Sequence, residues 1–119
     1  MKIAFDVKGT IEGYKKQSVL QAFNLLKSMG HEMFVWSNSY SYAVDAIKDN
    51  NLDAEAMDKK SCGDYGYEQQ HYMDIAFEDD ESQADWLAAK HFVLVEDIPD
   101  SPALVLEFLS KRLAEIVKD

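Results

Sequence analysis

Three polar residues of this sequence each follow a short apolar run. They are Asp6, Ser37 and Asp79. A carboxylate held beside a glycine-containing turn, as Asp6 is held beside Gly9, can attack phosphorus while main-chain N–H groups face a phosphate. A serine hydroxyl can donate to a phosphoryl oxygen. These residue types predict phosphate chemistry, although a strand-end turn at Asp6 and a helix cap at Ser37 are the alternative structural explanations.

Further charged groups lie later in the chain. Either Lys59 or Lys60 is placed to neutralise a phosphate beside Asp6, whereas loop lysines are more often simply solvated. An acidic cluster follows the apolar run that ends at Phe77, and it consists of Glu78, Asp79 and Asp80. Together with Asp6, such a cluster can form the oxygen-rich site that Mg²⁺ prefers. A solvated acidic face is the alternative explanation.

The elements that must position these groups follow from hydrophobic periodicity. Apolar or β-prone runs predict five strands, at residues 2–5, 31–36, 53–57, 72–77 and 92–95. Helical spacing predicts four helices, at residues 16–29, between Ser39 and Asn50, at 82–90 and from Ser101 towards the C-terminus. Strands alternating with helices indicate a parallel sheet covered on both faces, which is a three-layer α/β sandwich.

Two of these helices are defined by specific apolar positions. The helix over residues 82–90 places Ala84, Leu87 and Ala88 on its buried side. The terminal helix has Ser101 as its N-cap and Pro102 in its first turn. Its predicted buried stripe consists of Leu104, Val105, Phe108, Leu109, Leu113 and Ile116.

In an open parallel sheet, ligands bind beyond the carboxyl ends of the strands, near the point where strand order reverses. Because Asp6, Ser37 and Asp79 all come just after predicted strands, we expect them to meet at that edge. The chain of 119 residues, 47% of them hydrophobic, is long enough for one domain with one core.

The composition also limits the kinds of partner that we expect. The formal charge of −10 argues against general nucleic-acid binding. No apolar run approaches the roughly 20 residues that a membrane span needs, and no signal-peptide pattern opens the sequence. We therefore expect a soluble, cytoplasmic, single-domain protein with no membrane partner.

The order strand-Asp6, strand-Ser37, lysine pair and strand-acidic cluster resembles the four-part signature of the haloacid dehalogenase-like (HAD) superfamily, and the resemblance spans almost the whole chain. It implies a Rossmann-like α/β fold and a Mg²⁺-dependent phosphohydrolase or phosphotransferase in which Asp6 attacks phosphorus. It also implies that Ser37 and a lysine bind the phosphoryl group. The phosphate-binding set is Thr10, Ser37, Asn38 and Lys59 or Lys60; the metal set is Asp6, the Lys8 carbonyl, and Asp79 with Glu78 or Asp80.

Lys8 departs from the family pattern, which has an aspartate acting as general acid and base two residues after the nucleophile. An ammonium with an ordinary pKa near 10.4 cannot activate water at neutral pH, so slow turnover or a long-lived aspartyl-phosphate is expected. The gaps between motifs leave no room for a large cap domain. An uncapped site suits a phosphate on a larger molecule, or a site closed by a second subunit.

Two alternatives stay open on sequence alone. The first is a catalytically reduced HAD-like protein that binds phosphate or metal without turnover, with Lys8 filling the space used for proton transfer. The second is a receiver-like signalling domain that accepts a phosphoryl group at Asp53. The late position of the acidic cluster favours the HAD-like order over the receiver-like order.

Overall fold

The computed structural model describes residues 1–59, 73–85 and 89–118. Its five strands are β1 (Lys2–Asp6), β2 (Glu32–Ser37), β3 (Glu55–Asp58), β4 (Met73–Glu78) and β5 (Ala89–Leu94). Its three α-helices are α1 (Lys16–Ser28), α2 (Tyr40–Asp49) and α3 (Val105–Lys118). Among the described residues, no helix is both long enough and apolar enough to cross a membrane.

All five strands run parallel in one sheet with the order β3-β2-β1-β4-β5. The predicted parallel α/β architecture is therefore confirmed. The chain first moves outward from β1 to β2 and β3, and then crosses to β4 on the other side of β1. This reversal lies between β1 and β4, so the carboxyl ends of these two strands flank the crevice where such sheets bind ligands.

One face of the sheet packs against all three helices. In α1, Val19, Ala22, Phe23 and Leu26 recur at helical spacing, and all four are buried. The ring of Phe5 in β1 stacks on Phe77 with 4.2 Å between centroids, and it meets the edge of Phe23. This aromatic group holds β1, β4 and α1 together directly below the carboxyl ends of the strands.

The opposite face carries a smaller apolar cluster. Its buried members are Ala4, Phe34, Trp36, Met57, Met73 and Ala76. None of the three described helices contributes a residue to it. Residues 60–72, which connect β3 to β4, lie outside the described parts of the chain.

The predicted helix over residues 82–90 is wrong. The described part of this segment is a short 3₁₀ helix, Glu81–Asp85, in which Ala84 is exposed, and Ala89 already belongs to β5. Leu87 and Ala88 lie outside the described residues. Pairing of Ala89 with Met73 in β4 overrides the local helix propensity, because ladder hydrogen bonds and burial outweigh a few tenths of a kcal/mol per residue.

The terminal helix begins later than predicted. Residues Pro102–Leu104 form a 3₁₀ turn, α3 starts at Val105, and the Ser101 side chain makes no cap hydrogen bond. Leu104 is 54% exposed, so its predicted burial is wrong. The tighter 3₁₀ geometry takes it off the stripe of α3. The rest of the stripe is buried or partly buried, at Val105, Phe108, Leu109, Leu113 and Ile116.

Lys15 ties the segment after β5 to the start of α1. Its Nζ donates to the carbonyl oxygens of Val95, Glu96 and Ile98 at 3.1, 3.0 and 2.7 Å. Ser18 adds a hydrogen bond from its hydroxyl to the carbonyl of Asp100. These contacts satisfy carbonyls that have no ladder partner beyond the end of β5, and so fix the chain at this edge of the sheet.

Candidate functional site

A cavity of about 420 Å³ opens at the carboxyl ends of the strands. Its lining consists of Asp6, Lys8, Ser37, Asn38, Ser39, Tyr42, Lys59, Asp79, Asp80 and Gln83. Seven of the ten predicted site residues are in this set. Thr10 and Glu78 are fully buried and do not line the cavity, and Lys60 lies outside the described residues.

Asp6, the last residue of β1, has both carboxylate oxygens engaged. Oδ1 lies 2.9 Å from the Nζ of Lys59, and Oδ2 accepts a hydrogen bond of 3.3 Å from the hydroxyl of Thr10. The Ile11 N–H donates to the Asp6 carbonyl, which closes the loop tightly after the strand. Contacts on two sides fix the carboxylate of Asp6 at the cavity wall.

Lys59 lies just after β3 and bridges two buried carboxylates. Its Nζ is 2.7 Å from Oε1 of Glu78 as well as 2.9 Å from Oδ1 of Asp6, and its side chain is only 4% exposed. Gln83 accepts a longer hydrogen bond of 3.4 Å from the same nitrogen. Of the two lysines left open by the sequence, the structure places Lys59 against Asp6.

Trp36 completes this buried network. Its indole N–H donates to Oε2 of Glu78 at 2.8 Å. Trp36 pairs with Asp6 in the β1–β2 register, and Glu78 follows Phe77, the β4 partner of Phe5. The three side chains therefore lie at one level of the sheet. Both carboxylate oxygens of Glu78 are occupied, so its position is that of a counter-ion for Lys59.

Burial dominates the electrostatics of these groups. It raises the pKa of Asp6 to about 6, against the opposing effect of Lys59, and the neighbouring carboxyl of Asp79 adds to the increase. Burial also raises the pKa of Glu78 to about 7. For Lys59, burial lowers the pKa, but Glu78 and Asp6 outweigh it and raise the pKa overall. The single ammonium of Lys59 is shared by the buried carboxylates of Asp6 and Glu78, so the group has more negative than positive charge when both carboxyl groups are ionised.

Asp79 follows β4 and is exposed to the cavity beside Asp6. It packs tightly against the loop after β1, because a Cβ built on Gly9 would lie 2.0 Å from Oδ2 of Asp79. Gly9 also has φ +84°, in the left-handed region that favours glycine. The glycine of the first motif therefore has a definite role, which is to let Asp79 approach Asp6.

The remaining predicted residues have their own local contacts. The exposed carboxylate of Asp80 accepts a hydrogen bond from the N–H of Ser82, which lowers its pKa. The buried hydroxyl of Ser37 accepts from the N–H of Ser39 at the start of α2, and among the described residues its own hydrogen has no acceptor. Asn38 is exposed on the cavity wall.

The residues fit a Mg²⁺ ion in a limited way. Within the described residues, no group of three His, Cys, Asp or Glu side chains is arranged to hold a metal. Mg²⁺, however, keeps several waters and is commonly bound by only one or two carboxylates together with phosphate oxygens. Asp6 and Asp79 supply two adjacent carboxyl groups, and a cation would supply the charge that Lys59 alone does not.

The Lys8 side chain is exposed and lines the cavity. In the part of the chain that the structure describes, its ammonium pairs with no carboxylate. The loop that carries it is closed by hydrogen bonds from Gly9 N–H to the Glu12 carbonyl and from Glu12 N–H to the Val7 carbonyl. The ammonium of Lys8 is therefore available to a ligand.

Four residues of this site were not predicted from the sequence. Trp36 supports Glu78 from a strand position and Gln83 contacts Lys59, while Ser39 and Tyr42 form part of the cavity wall. Only Trp36 gave a usable signal. An indole directly before Ser37, in strand phase with Asp6, needs a hydrogen-bond acceptor when it is buried.

Fold and site together define a Rossmann-like α/β domain with a charged cavity at the switch point of its sheet. A scan against protein-family models, a search of curated proteins and a search of solved structures give no match to this chain.

Proposed function

We propose that this protein is a HAD-like phosphoryl-transfer enzyme that attacks phosphomonoesters through Asp6, with Mg²⁺ as its cofactor. One observation carries the proposal. The carboxylate of Asp6 is fixed by Lys59 and Thr10 at the end of the central strand, and it faces an open cavity beside Asp79. A positioned carboxylate next to a lysine is the arrangement that covalent phosphoryl transfer needs.

Each neighbour has a role in this proposal. Lys59 balances the charge of the incoming phosphoryl group and of Asp6, while Glu78 and Trp36 keep its ammonium in place. Ser37 and Asn38 offer hydrogen-bond donors from the cavity wall. Asp6 and Asp79 would hold the Mg²⁺, which supplies charge neutralisation for the phosphoryl oxygens when it is bound.

In this proposal, Lys8 affects the formation of the aspartyl-phosphate and its hydrolysis differently. An ammonium can stabilise the negative charge of a phosphoryl group, but it cannot take a proton from water at neutral pH. Formation of the aspartyl-phosphate is therefore retained and its hydrolysis is slow. The open cavity would accept a phosphate carried on a larger molecule as well as on a small one.

The direct test is hydrolysis of a panel of phosphate esters with Mg²⁺, measured for the wild type, Asp6→Asn and Asp53→Asn. Asp53 is an exposed carboxylate before β3, at the opposite edge of the sheet, where it pairs with Lys27 at 3.2 Å. We expect Asp6→Asn to abolish phosphate release and Asp53→Asn to leave it unchanged. Equal activity of Asp6→Asn and wild type would refute the nucleophile assignment.

The second candidate is a phosphate- or metal-binding protein without turnover. The ammonium of Lys8 favours it, since this group lines the cavity with no carboxylate partner among the described residues, adds to phosphate affinity and contributes no base. Phosphate binding with no phosphate release from any ester, in the wild type and in Lys8→Asp alike, would select this candidate. The receiver-like alternative gains no support from the position of Asp53. This residue precedes β3, at the amino ends of the strands, whereas Lys59 and Asp79 follow β3 and β4 at their carboxyl ends.

A further inference from the structure

A second cavity of about 300 Å³ adjoins the first. It lies between the loop after β1 and the helix α2, and it shares Lys8 and Tyr42 with the cavity of Asp6. Val7 and Ala46 add apolar surface to its walls. A group attached to a phosphate at Asp6 would leave the first cavity beside Lys8 and Tyr42 and enter this groove.

One face of α2 forms the far side of the groove. Tyr42, Asp45, Ala46 and Asp49 lie at positions i, i+3, i+4 and i+7 of the helix, which places them in one row. The helix starts next to Ser37, so the row leads away from the phosphate site. At 1.5 Å per residue, Asp49 lies about 10 Å further along the helix than Tyr42.

The carboxylates that line the groove differ in whether they already have a bonding partner. Glu12, on the loop side, is bonded to the ammonium of Lys16 at 3.2 Å and to the amide of Asn50 at 3.1 Å. Asp45 and Asp49 are exposed and have no partner among the described residues. The groove therefore has an ammonium at its phosphate end, apolar walls, and at its far end two carboxylates that are unpaired within the described parts of the chain.

We propose that this groove binds the leaving group of the substrate, and that this leaving group carries an ammonium or guanidinium joined to the phosphate through an apolar spacer. The inference rests on the proposed function, because it takes the phosphate to sit at Asp6. We infer the ligand of the groove from the charges that line it. Lys8 faces the phosphate oxygens, the spacer packs on Tyr42, Val7 and Ala46, and the cation meets Asp45 and Asp49.

The expected preference is modest because the carboxylates are exposed. Two exposed ion pairs of ordinary strength predict a preference of about 2- to 30-fold for a cationic over a neutral leaving group. Screening should reduce this preference between low salt and 0.5 M salt, because the Debye length shortens well below the span of the groove.

The test measures binding with Mg²⁺ present and needs no turnover. Calorimetry compares 6-aminohexylphosphonate with hexylphosphonate, whose C–P bonds are not hydrolysed. A second pair, peptides containing the phosphonate analogue of phosphoserine followed by lysines or by norleucines, distinguishes a peptide from a small amine as the source of the cation. Preference within either pair supports the inference and identifies its source.

The variants are Asp45→Asn/Asp49→Asn and a matched control, Glu32→Gln/Glu55→Gln. The control removes two carboxylates at the amino ends of β2 and β3, away from the groove. We expect the preference to disappear in the first double variant and to persist in the control.

Three outcomes would overturn the inference. Equal binding of charged and neutral ligands by the wild type refutes the cation site while leaving the phosphate site intact. A preference that survives Asp45→Asn/Asp49→Asn places the cation elsewhere. Failure of every phosphonate to bind refutes the inference and the proposed phosphate site together.

Discussion

Asp6 and Lys8 are two residues apart and have opposite environments. Asp6 is 6% exposed and held by Lys59 and Thr10, whereas the ammonium of Lys8 is exposed on the cavity wall. In the proposed mechanism the first residue attacks phosphorus, and the second stands where the HAD-like pattern has its acid and base. Residue-scale chemistry therefore predicts a site that forms a covalent phosphate more readily than it releases one.

Lys8→Asp should restore proton transfer. We expect the steady-state hydrolysis of a phosphomonoester to rise by about 10²-fold, the lower end of what a positioned acid-base group contributes. Lys48→Asp, which makes the same charge change on the exposed side of α2, should leave the rate within about 2-fold of the wild type. Equal rates for the two variants would show that Lys8 does not limit release.

Lys59→Met should destabilise the protein by about 3–5 kcal/mol at pH 7.5, because it leaves the buried carboxyl groups of Asp6 and Glu78 without a cation. The loss should shrink near pH 5, where both carboxyl groups are protonated. Urea unfolding at the two pH values measures this, with exposed Lys48→Met as a control expected to cost under ~0.5 kcal/mol. A pH-independent loss would contradict the proposed pairing.

A site residue was predictable from the sequence where its position at the end of a strand determines its location. Asp6, Ser37 and Asp79 end strands or directly follow them, and the carboxyl ends of parallel strands meet at one edge. The choice between Lys59 and Lys60 was not predictable, because adjacent residues after a short strand differ only in the direction of their side chains. Glu78 was predicted as a metal ligand, and this stays untested; the structure shows it bonded to Lys59 and Trp36.

At the scale of elements, the loop after β1 controls how closely Asp79 approaches Asp6. Gly9→Ala introduces a Cβ into the space of the Asp79 carboxylate, in addition to left-handed strain at φ +84°. Gly30→Ala has similar strain at φ +90° after α1, but nothing lies within 4 Å of its Cβ. The pair separates backbone strain from displacement of Asp79.

We expect Gly30→Ala to cost about 1 kcal/mol with Mg²⁺ binding unchanged. Gly9→Ala should cost more and weaken Mg²⁺ binding by at least about 10-fold, as measured by calorimetry with magnesium and inorganic phosphate. Equal Mg²⁺ affinity in the two variants would mean that the position of Asp79 does not govern the metal site.

The elements themselves were predictable wherever periodicity extended over several turns or a full strand. The apolar spacing of α1 and the runs of β1, β2 and β4 are unambiguous. The described parts of residues 82–90 were misassigned because alanine and leucine favour a helix locally. The pairing of Ala89 with β4 is a long-range interaction that no short window contains. The exposure of Leu104 could not be predicted either, because it depends on the residue at which the 3₁₀ turn ends and the α-helix begins.

At the scale of the whole molecule, charge couples stability to pH. The pKa values of Asp6 and Glu78 are raised to about 6 and about 7, above the ordinary values of 3.8 and 4.5. Between about pH 4 and pH 7 the folded state therefore binds more protons than the unfolded state. Stability should fall as the pH rises through this window.

Without Mg²⁺, we expect the melting temperature of the wild type to drop by several degrees between pH 5 and pH 8, with a smaller drop in Asp6→Asn. Added Mg²⁺ should raise it at pH 8, by mass action on the folded state, and have little effect in Asp6→Asn. Differential scanning calorimetry measures both effects. A melting temperature that rises from pH 5 to pH 8 would contradict the assignment of buried, raised carboxyl groups.

The central claim is that Asp6 becomes covalently phosphorylated. The most direct measurement is acid-quenched mass spectrometry after incubation with Mg²⁺ and acetyl phosphate. We expect the mass of one phosphoryl group on the peptide that contains Asp6. This label should be removed by hydroxylamine, absent from Asp6→Asn and shorter-lived in Lys8→Asp. A stable label on Asp53, or an undiminished label in Asp6→Asn, would contradict it.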